Sequence, residues 1–206
     1  MQTRDHKILA KFWAAEMGKI PCLYKRAFII GNIEPDWNPF TYLHGMTQGE
    51  RFHGHNYENI LQVMRKLFVS VQKRELPGIR NYYRLGKLTH YVADAFTYPH
   101  NQVFAGSLRE HCRYESVLHE KIGDALQKQK NMERNRDSAA DFQWIETLHG
   151  NYLKEAGSYD IDCRYILKAT AMLLKEVRYS ARIPARPEQS KPCPRARQLH
   201  PTSPYM

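Results

Sequence analysis

Apolar residues recur at three- and four-residue intervals along nearly the whole chain, and no run alternates apolar and polar positions for long enough to form a half-buried strand. That periodicity confines the chain to an all-α fold. Ile8, Leu9, Phe12, Trp13 and Met17 form the first apolar stripe, a second helix is predicted around CLYKRAFII, and others over residues 55–74, 80–98, 108–128, 139–155 and 160–179. Between them GNIEPDWNP, residues 31–39, reads as a loop by its Gly, Asn and two Pro residues, and it carries Asp36 between Pro35 and Trp37. No internal repeat of solenoid spacing is present, so the expectation is one multi-helix domain over residues 1–182.

From Ile183 onward the composition changes to IPARPEQSKPCPRARQLHPTSPYM, rich in proline and too poor in apolar residues to repay its own ordering, which predicts a flexible tail over 183–206. The formal net charge of +10 points to an anionic partner such as a phosphate ester, a membrane surface or nucleic acid. Five cations stand against one acid from Arg182 to the end, however, so the helical part is only moderately basic. The 4 cysteines form no CxxC pair and are too sparse for a disulfide framework, and all are expected to be reduced. Lys7 and Lys11 interrupt the apolar positions of the first segment, which is then neither a secretory leader nor a membrane span. A cytoplasmic location is the corresponding expectation.

The chemistry is concentrated in LTHYVADAFTYPHN, residues 88–101. His90 and Asp94 stand four apart and so share one face of a helix, Pro99 ends that helix, and His100 can turn back toward the same point. In EHCRYES, His111 and Glu115 repeat the arrangement. Neutral imidazole and carboxylate are ligands that zinc accepts, and the four-residue helical step gives a two-point grip without backbone strain. A single such pair is usually no more than a solvated helix contact. The wider set is more specific: His6 at the start of the first helix, Asp36 in its proline-flanked segment, and His53 and His55 in RFHGHNYEN. By contrast His119 reads as an exposed helix histidine, although it lies four after Glu115, and His149 has no partner pattern.

This ordered set, His, Asp, His, HxxxD, His and HxxxE, resembles the zinc-dependent phospholipases C of bacteria, which share an all-helical fold with the P1/S1 nucleases. The resemblance spans residues 6–115 and rests on His6, Asp36, His55, His90, Asp94, His100, His111 and Glu115. It implies a multinuclear zinc site, with His55, His90, Asp36 and Asp94 on one ion and His100, His111 and Glu115 on a second. Asp94 would bridge to a third ion bound by His6. The same resemblance makes Asp36 a candidate general base and sets Trp37 and Phe52 as walls of a head-group pocket; the spacing of Phe52 favours His55 over His53. The implied activity is hydrolysis of a phospholipid or another small phosphodiester by metal-activated water.

Several positions depart from the family pattern. Its secreted members ligate the third zinc through an N-terminal tryptophan, whereas this chain begins at Met1, so that place falls to the Met1 amine, a processed terminus or water, or the third ion is missing. An acidic residue for a choline head group has no counterpart, and Ala93 replaces a glycine. A nuclease acting on single-stranded nucleic acid is the first alternative, ranked lower because nuclease members usually end the set with HxxxD where this chain has Glu115. A non-catalytic helical protein stabilised by its metals is the second. These ligand types accept manganese and iron as well as zinc.

Overall fold

The computed structural model describes residues 1–38, 56–72, 78–129 and 142–180. Phe52, His53, His55 and the tail 183–206 lie outside the described residues. Among the described residues all regular structure is helical. The elements run α1 (Thr3–Glu16), α2 (Cys22–Trp37), α3 (Tyr57–Gln72), α4 (Ile79–Ala95), a 3-10 turn (Tyr98–His100), α5 (Leu108–Gln129), α6 (Gln143–Leu153) and α7 (Tyr159–Ser180).

Helix α4 is the centre of the molecule. Every residue from Leu88 to Ala95 is buried, the signature of a helix enclosed on all sides rather than one laid on a surface. Around it pack the apolar stripes of α1 through Leu9 and Trp13, of α3 through Ile60, Met64 and Phe68 and of α7 through Ile166 and Leu173, while α5, with Leu118 and Ile122 in the same core, lies against α7 and α1. The Trp13 indole N–H donates to Thr170 Oγ1 at 3.0 Å, so α1 is tied to α7 by a buried polar contact as well as by packing.

The closest helix pair is α2 against α4, and two glycines permit it. A Cβ on Gly31 would lie 2.0 Å from the Tyr83 carbonyl oxygen, and one on Gly86 would lie 2.1 Å from that of Phe28. No side chain fits at either position. Asn32 locks the crossing by donating from Nδ2 to the Gly86 carbonyl at 3.1 Å.

Two expectations are corrected here. The segment 31–37 is not a loop but the last turns of α2, with Pro35 inside the helix and Asn38 N–H closing on the Glu34 carbonyl at 3.0 Å. An interior proline usually costs a helix about 3 kcal/mol; the tight seating of Gly31 and Asn32 on α4 outweighs that local preference. The expectation of four reduced cysteines also fails, because Cys22 is disulfide-bonded while Cys112 and Cys163 are free. Sequence spacing carries no information about what the start of α2 meets in space.

Candidate metal centre

Each part of the candidate centre comes from a different element. His6 projects from the first turns of α1, Asp36 from the end of α2, His90 and Asp94 from α4, His100 from the 3-10 turn, and His111 and Glu115 from the start of α5. Asp94 stands at the middle. Its Oδ2 lies 3.2 Å from His90 Nε2, and its Oδ1 lies 3.1 Å from His6 Nε2 and 3.9 Å from His100 Nε2. On one side of it His6, Asp36 and His90 bring one donor atom each within 4.8 Å of one another. On the other side His100, His111 and Glu115 do the same.

In the second group Glu115 Oε1 is the common point, 3.0 Å from His100 Nε2 and 3.1 Å from His111 Nε2. Zinc bonds of about 2.0–2.1 Å in a tetrahedron set ligand atoms about 3.4 Å apart. The spacings around Asp94 and Glu115 therefore suit an ion of that size. Two further atoms point the same way: His6 Nδ1 and Asp36 Oδ2 are buried and have no hydrogen-bond partner among the described residues.

The donors are set in orientation by groups behind them. His90 Nδ1 lies 2.8 Å from the Asn32 carbonyl, which can only accept, so the ring carries its proton on Nδ1 and turns a lone pair on Nε2 inward. His100 is held through its turn. Asp162 on α7 is fully buried and accepts from Tyr98 N–H at 2.8 Å, from the Tyr152 hydroxyl at 2.8 Å and from the Tyr114 hydroxyl at 3.0 Å. The next residue, Asn101, donates from Nδ2 to the Thr97 and Ala95 carbonyls and accepts from His149 Nε2 at 2.7 Å.

The α-amine of Met1 enters the same cluster. It is buried 2.7 Å from Asp94 Oδ1 and 3.0 Å from both Glu115 Oε1 and His100 Nε2. Burial alone would lower its pKa, but the two carboxylates outweigh that and hold it up at about 11. The same charge, with the surrounding histidines, overcomes burial at Asp94 and Glu115 and keeps both carboxyls well below the usual range. His6, buried beside His90, is pushed down to about 4 and is neutral, as a metal-binding imidazole must be. The terminus is strapped down by Asp5, which accepts from Gln2 N–H at 3.2 Å and pairs with His119 Nδ1 on α5.

A family model described as zinc dependent phospholipase C matches residues 5–159. The chain belongs to the zinc dependent phospholipase C family. No curated protein and no solved structure matches it. In this member of the zinc dependent phospholipase C family, Asp94 and six of the other seven residues that the resemblance implies lie in one cluster, and the seventh, His55, lies outside the described residues. His6 stacks its ring on that of His90 with centroids 3.8 Å apart and offers a donor atom within 4.8 Å of those of Asp36 and His90. Trp37 is exposed at the end of α2, next to Asp36.

Other contributors to this phospholipase C-family centre were not legible. His119 is not a solitary exposed histidine but the partner of buried Asp5, 114 residues away. His149 is buried and bonded to Asn101, stacked on Tyr57 with ring centroids 3.5 Å apart. Asn32 acts through its backbone carbonyl, which no residue type signals. Only Asp162 carried a clue, as an acid among the apolar positions of α7.

Proposed function

We propose that the chain is a metal-dependent phosphodiester hydrolase of phospholipase C type, acting on a phospholipid or another small phosphodiester. The observation that carries this reading is the pair of donor triads joined by Asp94. His90, Asp36 and Asp94 would hold one zinc ion, with His55 as the further ligand that the family resemblance implies, and His100, His111 and Glu115 would hold a second. His6 and Asp94 would be donors for a third; the Met1 amine, 2.7 Å from Asp94 Oδ1, would join them only on losing the proton that the two carboxylates hold on it. Closely spaced zinc ions supply Lewis-acid polarisation of the phosphoryl oxygens and compensate the charge that develops on the leaving oxygen.

The residues of the chain do the rest. Asp36 is the general base: its side chain is 14% exposed, against 0% for His90 and 1% for Asp94, so of the three it is the one nearest to solvent. Asn32 keeps His90 in one tautomer, and Trp37, exposed beside Asp36, is the described residue that would wall the head group. The His100, His111 and Glu115 group offers three protein side chains, one short of the four that usually close a structural zinc, and this favours catalysis over a purely structural ion.

Elemental analysis of protein purified without added metal tests the reading, beside a His90→Ala, Asp94→Ala variant. Two or three zinc ions per chain are expected, largely lost in the variant, with hydrolysis of phospholipid by the native chain only. A chain that neither holds zinc nor takes it up would overturn the hydrolase. Faster cleavage of single-stranded nucleic acid than of phospholipid would instead move the substrate to the nuclease branch.

A further inference from the structure

Among the described residues, the large apolar side chains with the greatest exposure are Leu108, at 78%, and Trp37, at 71%. Isolated exposed apolar residues are ordinary on any protein surface. These two flank the donor residues that open furthest to solvent, His111 and Asp36. Trp37 follows Asp36 at the end of α2, and Leu108 stands one helical turn before His111 on α5. A third, Val103, is exposed on the segment leading into α5. Its neighbour Phe104 packs edge-on to the His111 ring with centroids 6.2 Å apart, which fixes this segment beside the same opening.

The apolar rim extends along α2. Leu23 and Ile30, both exposed, precede Trp37 at seven-residue steps and so fall on one face of the helix, a ridge of about 21 Å at 1.5 Å per residue. Charge accompanies it. Arg26 lies on the exposed side of α2, and Arg109 and Arg113 lie on the exposed side of α5, where the intervening Glu110, accepting from Ser107 N–H at 2.6 Å, offsets one of the three charges.

We propose that this rim docks on an anionic lipid bilayer, with Trp37, Val103 and Leu108 entering the head-group region and the arginines meeting lipid phosphates. The inference rests on the phospholipid reading given above. A lipid with two acyl chains is scarcely present as a monomer in water, so its hydrolase must meet it at the bilayer. The apolar ridge, the tryptophan and the surrounding cations match an interfacial surface, where apolar burial and attraction to anionic lipid act together.

Zinc-loaded full-length chain is sedimented with phosphatidylcholine vesicles with and without phosphatidylserine, beside a Val103→Asp, Leu108→Asp variant and a Leu108→Trp control. Both positions are exposed, and unchanged helical circular dichroism and zinc content establish that the variants fold. Expected are binding that rises with phosphatidylserine, a loss of about tenfold or more in the aspartate variant, and retention in the tryptophan control. Hydrolysis of vesicle lipid falls in step, while hydrolysis of soluble bis(p-nitrophenyl) phosphate is unchanged. Docking is overturned if the native chain does not sediment with vesicles, if the aspartate variant binds equally, or if the variant instead dissolves a concentration-dependent dimer. Binding is read without turnover, so the two proposals fail separately: soluble phosphodiester hydrolysis without vesicle binding rejects docking alone, and rim-dependent binding without any hydrolysis rejects the hydrolase alone.

Discussion

At the scale of single residues, the donors of the centre depend on partners that lie far away in sequence. Asp5 is buried, which pushes its carboxyl pKa up, and the His119 imidazole is the main group opposing that shift. Removing the imidazole leaves a buried carboxylate without its partner. His119→Ala is therefore expected to cost about 1–3 kcal/mol in urea denaturation, and Asp5→Asn in the same background should recover part of the loss. His90, Asp94, His100, His111 and Glu115 were legible because their spacing is local and a helix converts spacing into geometry. His119 and His149 were not, since the groups they meet are 114 and 48 residues distant.

At the scale of elements, the decisive contact is the crossing of α2 and α4. Asp36 and His90 face each other across it, with His90 Nε2 3.6 Å from Asp36 Oδ1. A methyl group at Gly86 would strike the Phe28 carbonyl and the backbone of Asn32 at once. Gly86→Ala should lower stability by about 3 kcal/mol or more, seen as a fall in Tm, with zinc content falling too because Asn32 moves away from His90. The period of the apolar residues made the helices legible, whereas α2 was read too short by local rules about Pro35 and Gly31. Those rules lose here to packing that appears only once α4 is in place.

A second element-level device is the turn that carries His100. Asp162 on α7 receives one hydrogen bond from this turn, one from α5 and one from α6, and burial still raises its carboxyl to about 6. Asp162→Ala strands the Tyr98 N–H and two tyrosine hydroxyls. The expected cost is about 3 kcal/mol, with weaker zinc retention by His100, His111 and Glu115 in a chelator competition. Adding Tyr114→Phe and Tyr152→Phe should restore part of the stability, since it removes the stranded hydroxyls.

For the whole molecule, the buried titrating groups set how stability responds to acid. Burial holds His149 down at about 4, despite the Ala95 carbonyl acting the other way, so it stays neutral in the fold while its unfolded counterpart takes a proton near 6.5. The unfolded chain binds more protons in between, and stability falls as pH drops from 6.5 through 4. The full effect of such a shift is about 3 kcal/mol. His149→Gln should accordingly destabilise the chain most at neutral pH and least near pH 4, measured by urea midpoints across that range. The all-helical architecture was legible along the chain because one period governs it. The order of packing around α4 was not, because tertiary contacts leave no periodic trace.

The family match stops at residue 159, where α7 begins. Every candidate donor described above lies before that point, yet the anchor of the His100 turn, Asp162, and the hydroxyl that holds α1, Thr170, lie after it. The stretch that identifies the family and the stretch that folds are thus of different lengths: a chain cut at the family boundary would keep the ligand set and lose the wall it is fastened to.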